Sequence, residues 1–416
     1  MAPVAVNARI PGSKSLTNRA LLCAAGAPGR SLLRRPLASD DTLAFAGGLR
    51  ALGYGVDLDG AEPDVWSVTG TGRGPEVPDA EVFCRDAGTA ARFLPALAAT
   101  GQGRFRFDGT EQLRRRPLGP LLDGLQALGS VVTREGPGDL PFALDARGLR
   151  GGEVVVDAHQ SSQYVSGLLL AAPLMQRPLR LRTTDLASRP YVEMTLGLML
   201  RFGVAAVGSP EEGITVPVGG YRPRELTIEP DASTASYFFA AAAVTGRTVT
   251  VPALGTSSAQ GDLHFVDVLE AMGATVRREA EATTVAGPPG GLDGDVVIDM
   301  NAISDTMMTL AAIAPYADGP VTITGVGHTR RKESDRVGVT AENLRACGVP
   351  VEEGEDWLRI HPARPRPTMV ACHRDHRIAM SFSVLGLRTP GITLDDPECV
   401  SKTFPGFHEE FARLFR

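Results

Sequence analysis

Six small-residue segments recur along the 416-residue chain: SKSLTNRALLCAA, DAGTAARFLPALAA, SSQYVSGLLLAAPL, DASTASYFFAAAAV, ISDTMMTLAAIAPY and RDHRIAMSFSVLGL. With Arg19, Arg92, Ser166, Ser236, Met308 and Met380 as equivalent points, the intervals are 73, 74, 70, 72 and 72 residues. A second series, LRALGYGV, LQALGSVV, LMLRFGVAAV, LEAMGATV and LRACGVPV, places Gly53, Gly129, Gly203, Gly273 and Gly348 at intervals of 76, 74, 70 and 75. A glycine there suits a helix C-cap, where the backbone turns left-handed. FHEEFARLF supplies a last helix near the end of the sequence. Between the helices, RSLLRRPL, RFRFDG, LRLRTT, TVTVPAL, VTITGV and ITLDDP alternate apolar and polar residues and read as short strands. One α/β unit repeated six times predicts an α/β protein of two lobes, each of three repeated units, with the break near Glu229-Pro230.

Charge and composition narrow the function. A net charge of −6 argues against nucleic acid as a partner, because such binding rests on a basic surface. No stretch approaches the length of a membrane span, and MAPVAVNARIPG lacks the charged and apolar regions of a signal peptide. Cys23, Cys84, Cys347, Cys372 and Cys399 are odd in number and form no C-x-x-C, which suits reduced thiols in the cytoplasm. Of the 42 lysines and arginines, only Lys14, Lys332 and Lys402 are lysine. Lysines that persist in so arginine-rich a chain suggest sites needing a compact ammonium rather than a planar guanidinium.

Polar residues gather at two places in the repeat. One is the start of the first helix: Lys14-Ser15, Asp86 to Thr89, Ser161-Ser162-Gln163, Asp231-Ser233, Asp305, and Asp375-His376-Arg377. The other is the loop after the following strand: Arg114-Arg115-Arg116, Ser188-Arg189, Gln260, Arg330 to Arg336, and Lys402. Serine, threonine and aspartate at helix starts are explained by capping, the reading adopted for Asp231 and Ser233. Cations there are not, because the helix dipole disfavours them, so an anion is expected among them. Lys14, Arg116, Arg336, Arg377 and Lys402 supply charge for two anionic substrates. His373 and His376, spaced to share a helix face, lack a third ligand, so no metal site and no cofactor are expected.

PGSKSLTNRA, AGTAARFL, RRRPLG, SSQYVSGLL, SRPYV, DASTASYF, RKESDR, DHRIAM and SKTFPGF together resemble the 5-enolpyruvylshikimate-3-phosphate synthase family, from about residue 10 to the end. The resemblance implies an inside-out α/β barrel fold whose chain crosses twice between lobes. A lobe of residues 13–229 would mainly bind shikimate 3-phosphate. A lobe of residues 1–12 and 230–416 would supply much of the phosphoenolpyruvate binding, with the active site in the cleft between lobes. The implied reaction moves the carboxyvinyl group of phosphoenolpyruvate to the 5-hydroxyl of shikimate 3-phosphate, through a tetrahedral intermediate, in the pathway to chorismate and aromatic amino acids. Shikimate 3-phosphate would be held by Ser15, Arg19, Ser161, Ser162, Gln163, Ser188, Tyr191, Asp305, His328 and Lys332. Phosphoenolpyruvate would be held by Lys14, Asp86, Gly88, Arg116, Gln163, Arg336, Arg377 and Lys402, where glyphosate should compete. Asp305 would handle the hydroxyl proton and Glu333 the methylene carbon, while Lys14 and Lys332 stabilise charge on the leaving phosphate.

Four positions depart from the family pattern, among them Arg331, which replaces an apolar residue. Asp86 stands where the family usually has Asn and is read as a near-equivalent N-cap. His328 replaces an Asn that contacts the shikimate phosphate, and a histidine there is expected to bring pH dependence. Phe93 replaces a common proline. The related UDP-N-acetylglucosamine enolpyruvyl transferases open on a different motif and carry a cysteine in a mobile loop, whereas residues 101–120 contain none. The substrates are small molecules, and a cytoplasmic monomer is expected.

Overall fold

The computed structural model describes residues 5–60 and 62–415. The expected outermost ends of the 1–12 and 230–416 lobe, residues 1–4 and 416, lie outside the described residues. Two helices per repeat are formed: α1 (Lys14–Ala25), α2 (Asp40–Ala51), α3 (Gly88–Ala99), α4 (Gly119–Ala127), α5 (Gln163–Ala171), α6 (Pro190–Arg201), α7 (Ala232–Thr245), α8 (Phe265–Ala271), α9 (Met307–Ile313), α10 (Arg336–Ala346), α11 (His376–Gly386) and α12 (Phe407–Phe415). The odd-numbered helices carry the six small-residue segments. They are interior helices: all twelve residues of α3 are buried, and in α7 every residue but Thr245. Small side chains are what let such helices touch; a Cβ on Gly167 of α5 would stand 2.5 Å from the Arg92 carbonyl of α3. The glycine series behaves as expected, with φ of +88°, +114°, +88°, +90° and +78° at residues 53, 129, 203, 273 and 348.

Five four-stranded sheets share one pattern, with a leading strand parallel to the second and an antiparallel pair beyond it. In the second repeat these are Asp79–Phe83, Gln102–Asp108, Phe142–Arg147 and Val131–Arg134. The sixth sheet has only Met369–Val370 and Thr393–Leu394, so the strand expected over ITLDDP is reduced to two residues. Two leading strands are exchanged. Val6–Asn7 precedes α1 in the chain but pairs with Val249 and Thr250 of the fourth repeat. Glu225–Thr227 precedes α7 but pairs with Leu32 to Arg34 of the first.

One compact unit comprises Gly12–Ile228; the other joins the segment up to Pro11 to the chain from Glu229 onward. Each has its own apolar core. In the second unit Phe238 of α7 lies 5.7–6.4 Å, ring centre to ring centre, from Phe404, Phe407, Phe411 and Phe415, which pins α12 onto the interior helix. The histidine reading needs correction: α11 begins at His376, and His373 sits in the preceding turn at φ +52°, so the two do not share a helix face. Among the described residues no group of three His, Cys, Asp or Glu could hold a metal ion, and no helix is long and apolar enough to cross a membrane.

Candidate active site

In the unit Gly12–Ile228, candidate residues collect at the starts of the odd-numbered helices. Lys14, the first residue of α1, places its ammonium 3.2 Å from Asp41, which is almost wholly buried in the first turn of α2. At the start of α3, Gly88 lies flat against the Arg116 guanidinium; a Cβ there would be 2.6 Å from both terminal nitrogens. Arg92 donates to the Gly88 carbonyl (3.1 Å), the Pro117 carbonyl (3.0 Å) and Gln163 Oε1 (3.4 Å), so Gly88, Arg116 and Gln163 are held as one group. Ser161 Oγ accepts from the Gln163 amide (3.2 Å) at the start of α5. Ser188, buried before α6, adopts φ +54°, a left-handed backbone that aims the turn.

Arg19 and Asp86 both have partners within this unit. Arg19 is buried, and its guanidinium donates to Thr195 Oγ1 (2.7 Å), the carbonyls of Ser15 (3.0 Å) and Tyr191 (3.3 Å), and Ser166 Oγ (3.4 Å). Burial lowers its pKa to about 10, against opposing contributions from Tyr191 and Cys23. A guanidinium has five N–H groups, so four are committed to the protein, and Arg19 ties α1 to α5 and α6. Asp86 does not cap α3: the N-cap is Ala87, and Asp86 accepts from the Thr110 hydroxyl. Of the Arg114-Arg115-Arg116 run, Arg114 pairs with Asp108 (2.7 Å) and Arg115 with Glu111 (3.3 Å) at the surface; only Arg116 is buried.

The second unit concentrates charge. Arg336, the first residue of α10, is 2% exposed and meets three carboxylates: Asp305 through Nη1 (2.9 Å), Glu333 through Nη2 (2.7 Å) and Asp375 through Nε (2.9 Å). Arg377, in the first turn of α11, reaches the other oxygen of Asp305 through Nη2 (2.7 Å) and donates to the Tyr237 hydroxyl (3.4 Å). Asp375 caps α11 through the Arg377 amide (3.0 Å) and accepts from Ser334 Oγ (3.0 Å). Burial favours a neutral Asp305, but Arg377, then Lys332 and Arg336, outweigh it and hold the carboxyl well below its usual range, with Glu333 opposing. For Arg336, burial works against the charge, and Asp375, Glu333 and Asp305 more than restore it.

The RRKESDR run divides by side. Arg330 pairs with Asp335 (2.8 Å), and Asp335 caps α10 through the Gly338 amide (2.9 Å). Glu333 and Arg336 instead join the buried cluster. His328 lies within 2.9 Å of Ser304 Oγ through Nε2. Burial first, then Lys332, push its pKa down to about 3, with Asp305 opposing. Lys402 is buried at the end of the turn Pro397–Lys402. Cations at helix starts cost about 0.3–1 kcal/mol each against the dipole; here Asp41, Asp305, Glu333 and Asp375 supply the anions. Of these, Asp41 was not singled out from sequence, nor were Tyr237 and Ser304. Only the adjacency of Asp41 to Ser39 and Thr42 marks it, and that reads as ordinary capping.

The profile of the EPSP synthase family (3-phosphoshikimate 1-carboxyvinyltransferase) matches residues 1–411. The chain belongs to this family. A 3-phosphoshikimate 1-carboxyvinyltransferase of Nostoc punctiforme is 43% identical over 99% of this chain and 97% of its own length. One from Methanoculleus marisnigri is 44% identical over 96% and 94%. The solved EPSP synthase of Acinetobacter baumannii superposes with a TM-score of 0.81 at 25% identity, covering 99% of this chain and 96% of that one. The enolpyruvyl transferase NikO from Streptomyces tendae shares the fold at a TM-score of 0.80 and 20% identity, covering 99% and 95%.

Proposed function

We propose that Arg336 and Arg377 hold the carboxylate of phosphoenolpyruvate, and that Asp305 takes the proton from the acceptor hydroxyl. The chain is a transferase of the shikimate pathway to aromatic amino acids. It transfers the enolpyruvyl group of phosphoenolpyruvate to the 5-hydroxyl of shikimate 3-phosphate and releases phosphate. The observation that carries the residue assignment is a single carboxylate bridged by two guanidiniums at 2.9 and 2.7 Å. Lys14, Arg116 and Lys402 are the further cations for phosphoenolpyruvate, with Gly88 leaving room beside Arg116. Ser161, Ser162 and Gln163 at the start of α5, with Ser188 before α6, suit the shikimate phosphate, because helix starts present amide N–H groups to an anion. Ser15, Tyr191, His328 and Lys332 complete the shikimate 3-phosphate contacts, and Asp86 acts from the Thr110 side.

In the addition, the hydroxyl O–H bond breaks and its proton goes to Asp305. The oxygen's electron pair forms the bond to C2 of the enol, and C3 takes a proton delivered from the Glu333 side. Loss of phosphate and of a methyl proton then regenerates the double bond. Lys14 and Lys332 stabilise the charge on the departing phosphate. The enzyme is read as a cytoplasmic monomer acting on these two small molecules; the five free thiols support a reducing compartment.

Phosphate release that requires both substrates, with the product identified by mass spectrometry, tests the acceptor. Turnover with UDP-N-acetylglucosamine and none with shikimate 3-phosphate would overturn it. Gly88→Ala should raise KM for phosphoenolpyruvate by about tenfold with little effect on KM for shikimate 3-phosphate, since the new methyl displaces Arg116. Equal changes for both substrates would place the effect elsewhere. Lys14→Arg, Lys332→Arg and Lys402→Arg should each lower kcat/KM by about tenfold or more although charge is kept. Rates near the parent in all three would make the rarity of lysine an accident.

A further inference from the structure

Both oxygens of Asp305 are bound, each to a different arginine, and the three side chains are not equally accessible. Asp305 is 18% exposed, whereas Arg336 and Arg377 are 2% and 6% exposed. Asp305 is therefore the most exposed of the three side chains. The other nitrogens of Arg336 are held by Asp375, wholly buried, and Glu333, 8% exposed. Asp305 thus covers the edge of the pair made by Arg336 Nη1 and Arg377 Nη2. That edge is also the one assigned above to the carboxylate of phosphoenolpyruvate. Two carboxylates cannot bind the same pair of N–H groups at once.

We propose that Asp305 is the resident occupant of the carboxylate subsite formed by Arg336 and Arg377, and that phosphoenolpyruvate displaces it and so releases it to act as the base. The proposal rests on the reading of those arginines given above. A carboxylate neutralising two guanidiniums has little appetite for a proton. The groups facing Asp305 are Arg377 from α11, Arg336 from α10, Lys332 and Glu333 from the loop before α10, and His328 from the turn Gly327–Arg331. Exchanging its two arginine contacts for those of the incoming substrate leaves Asp305 beside Glu333 and the new carboxylate, both negative, and its proton affinity rises. The acceptor hydroxyl thus meets a competent base only when phosphoenolpyruvate is in place. Bound shikimate 3-phosphate alone is left unreacted.

The test compares binding of phosphoenolpyruvate and of inorganic phosphate, which has no carboxylate, to the parent and to Asp305→Asn. Removing a resident competitor should tighten phosphoenolpyruvate binding by about tenfold and leave phosphate within about twofold. Equal tightening of both ligands would mean only that a negative charge was lost, and unchanged or weaker phosphoenolpyruvate binding would mean that nothing was displaced; either overturns the proposal. Arg377→Lys tests the underlying reading separately. If it leaves phosphoenolpyruvate affinity intact, the subsite is elsewhere and both ideas fall. If it weakens affinity while Asp305→Asn brings no gain, the proposal alone falls. A readout independent of the variant's folding is carbon-13 NMR of aspartate carboxyls in the parent. One carboxyl should shift its titration midpoint upward with phosphoenolpyruvate and not with phosphate; a midpoint that stays or falls overturns displacement.

Discussion

Asp305→Ala is expected to lower kcat by about 10³-fold while KM for shikimate 3-phosphate changes by less than about tenfold and KM for phosphoenolpyruvate does not rise. The acceptor oxygen is a secondary alcohol, a poor nucleophile until its proton is taken, and general-base assistance of this kind is worth about 10²–10⁴ in rate. Substrate binding depends on many groups, whereas Asp305 is the carboxylate that bridges the two arginines of the site. Steady-state kinetics with each substrate varied in turn separates the two effects. An unchanged kcat would remove Asp305 from the chemistry, and a loss confined to KM would make it a binding group. Glu333→Gln serves as the comparison, since Glu333 shares the contact to Arg336. If Glu333 serves the methylene carbon, its loss should slow incorporation of solvent deuterium into C3 as well as turnover.

Arg336→Met should abolish measurable turnover and lower the stability of its unit by about 3–5 kcal/mol, a Tm decrease of roughly 10 °C. The cause is less the lost attraction than what remains: Asp375 at no exposure and Glu333 at 8% keep their charges without the guanidinium between them. The pH dependence follows from Asp305. Its folded pKa is depressed, so its contribution to stability is complete above the unfolded value near ~4 and is lost as pH falls through the folded value. Without Arg336 that depression shrinks and there is less to lose on acidification. The difference in Tm between parent and variant should therefore be level from about pH 8 to 5 and narrow below about pH 4. A difference that stays constant to pH 3, or widens, would show that the pairing does not govern the stability of this cluster.

The repeat was legible because it is written in side-chain size. Alanine and glycine at interior positions, and the glycine that follows the second helix in each of the first five repeats, follow from packing and backbone geometry. The charges were legible only as types. Arg114, Arg115 and Arg116 are identical letters, yet two lie at the surface and one is buried against Gly88, because the short helix Glu111–Arg114 ends within the run and the chain turns away from it before Arg116. In RRKESDR the same ambiguity places Arg330 and Asp335 in an outer pair and Glu333 and Arg336 in the buried cluster. Arg19 is marked by its motif as a ligand of substrate, but no local pattern shows that its guanidinium also joins three helices. Asp41 was overlooked because its partner, Lys14, is 27 residues away, and no local pattern announces the pair.

The exchange of leading strands has a bearing on how the chain is made. Val6 finds its partner at Val249, so this strand waits for 243 further residues to be synthesised before it can pair. Leu33 finds its partner at Leu226, so the unit Gly12–Ile228 has every strand of its three sheets before its neighbour has any complete sheet. Vectorial synthesis therefore favours closing the inner unit first, with the outer one assembling on both sides of it in sequence. Until then the segment around Val6 is a strand without a sheet, and Pro11, which follows it, lacks the amide hydrogen that an untimely partner would need.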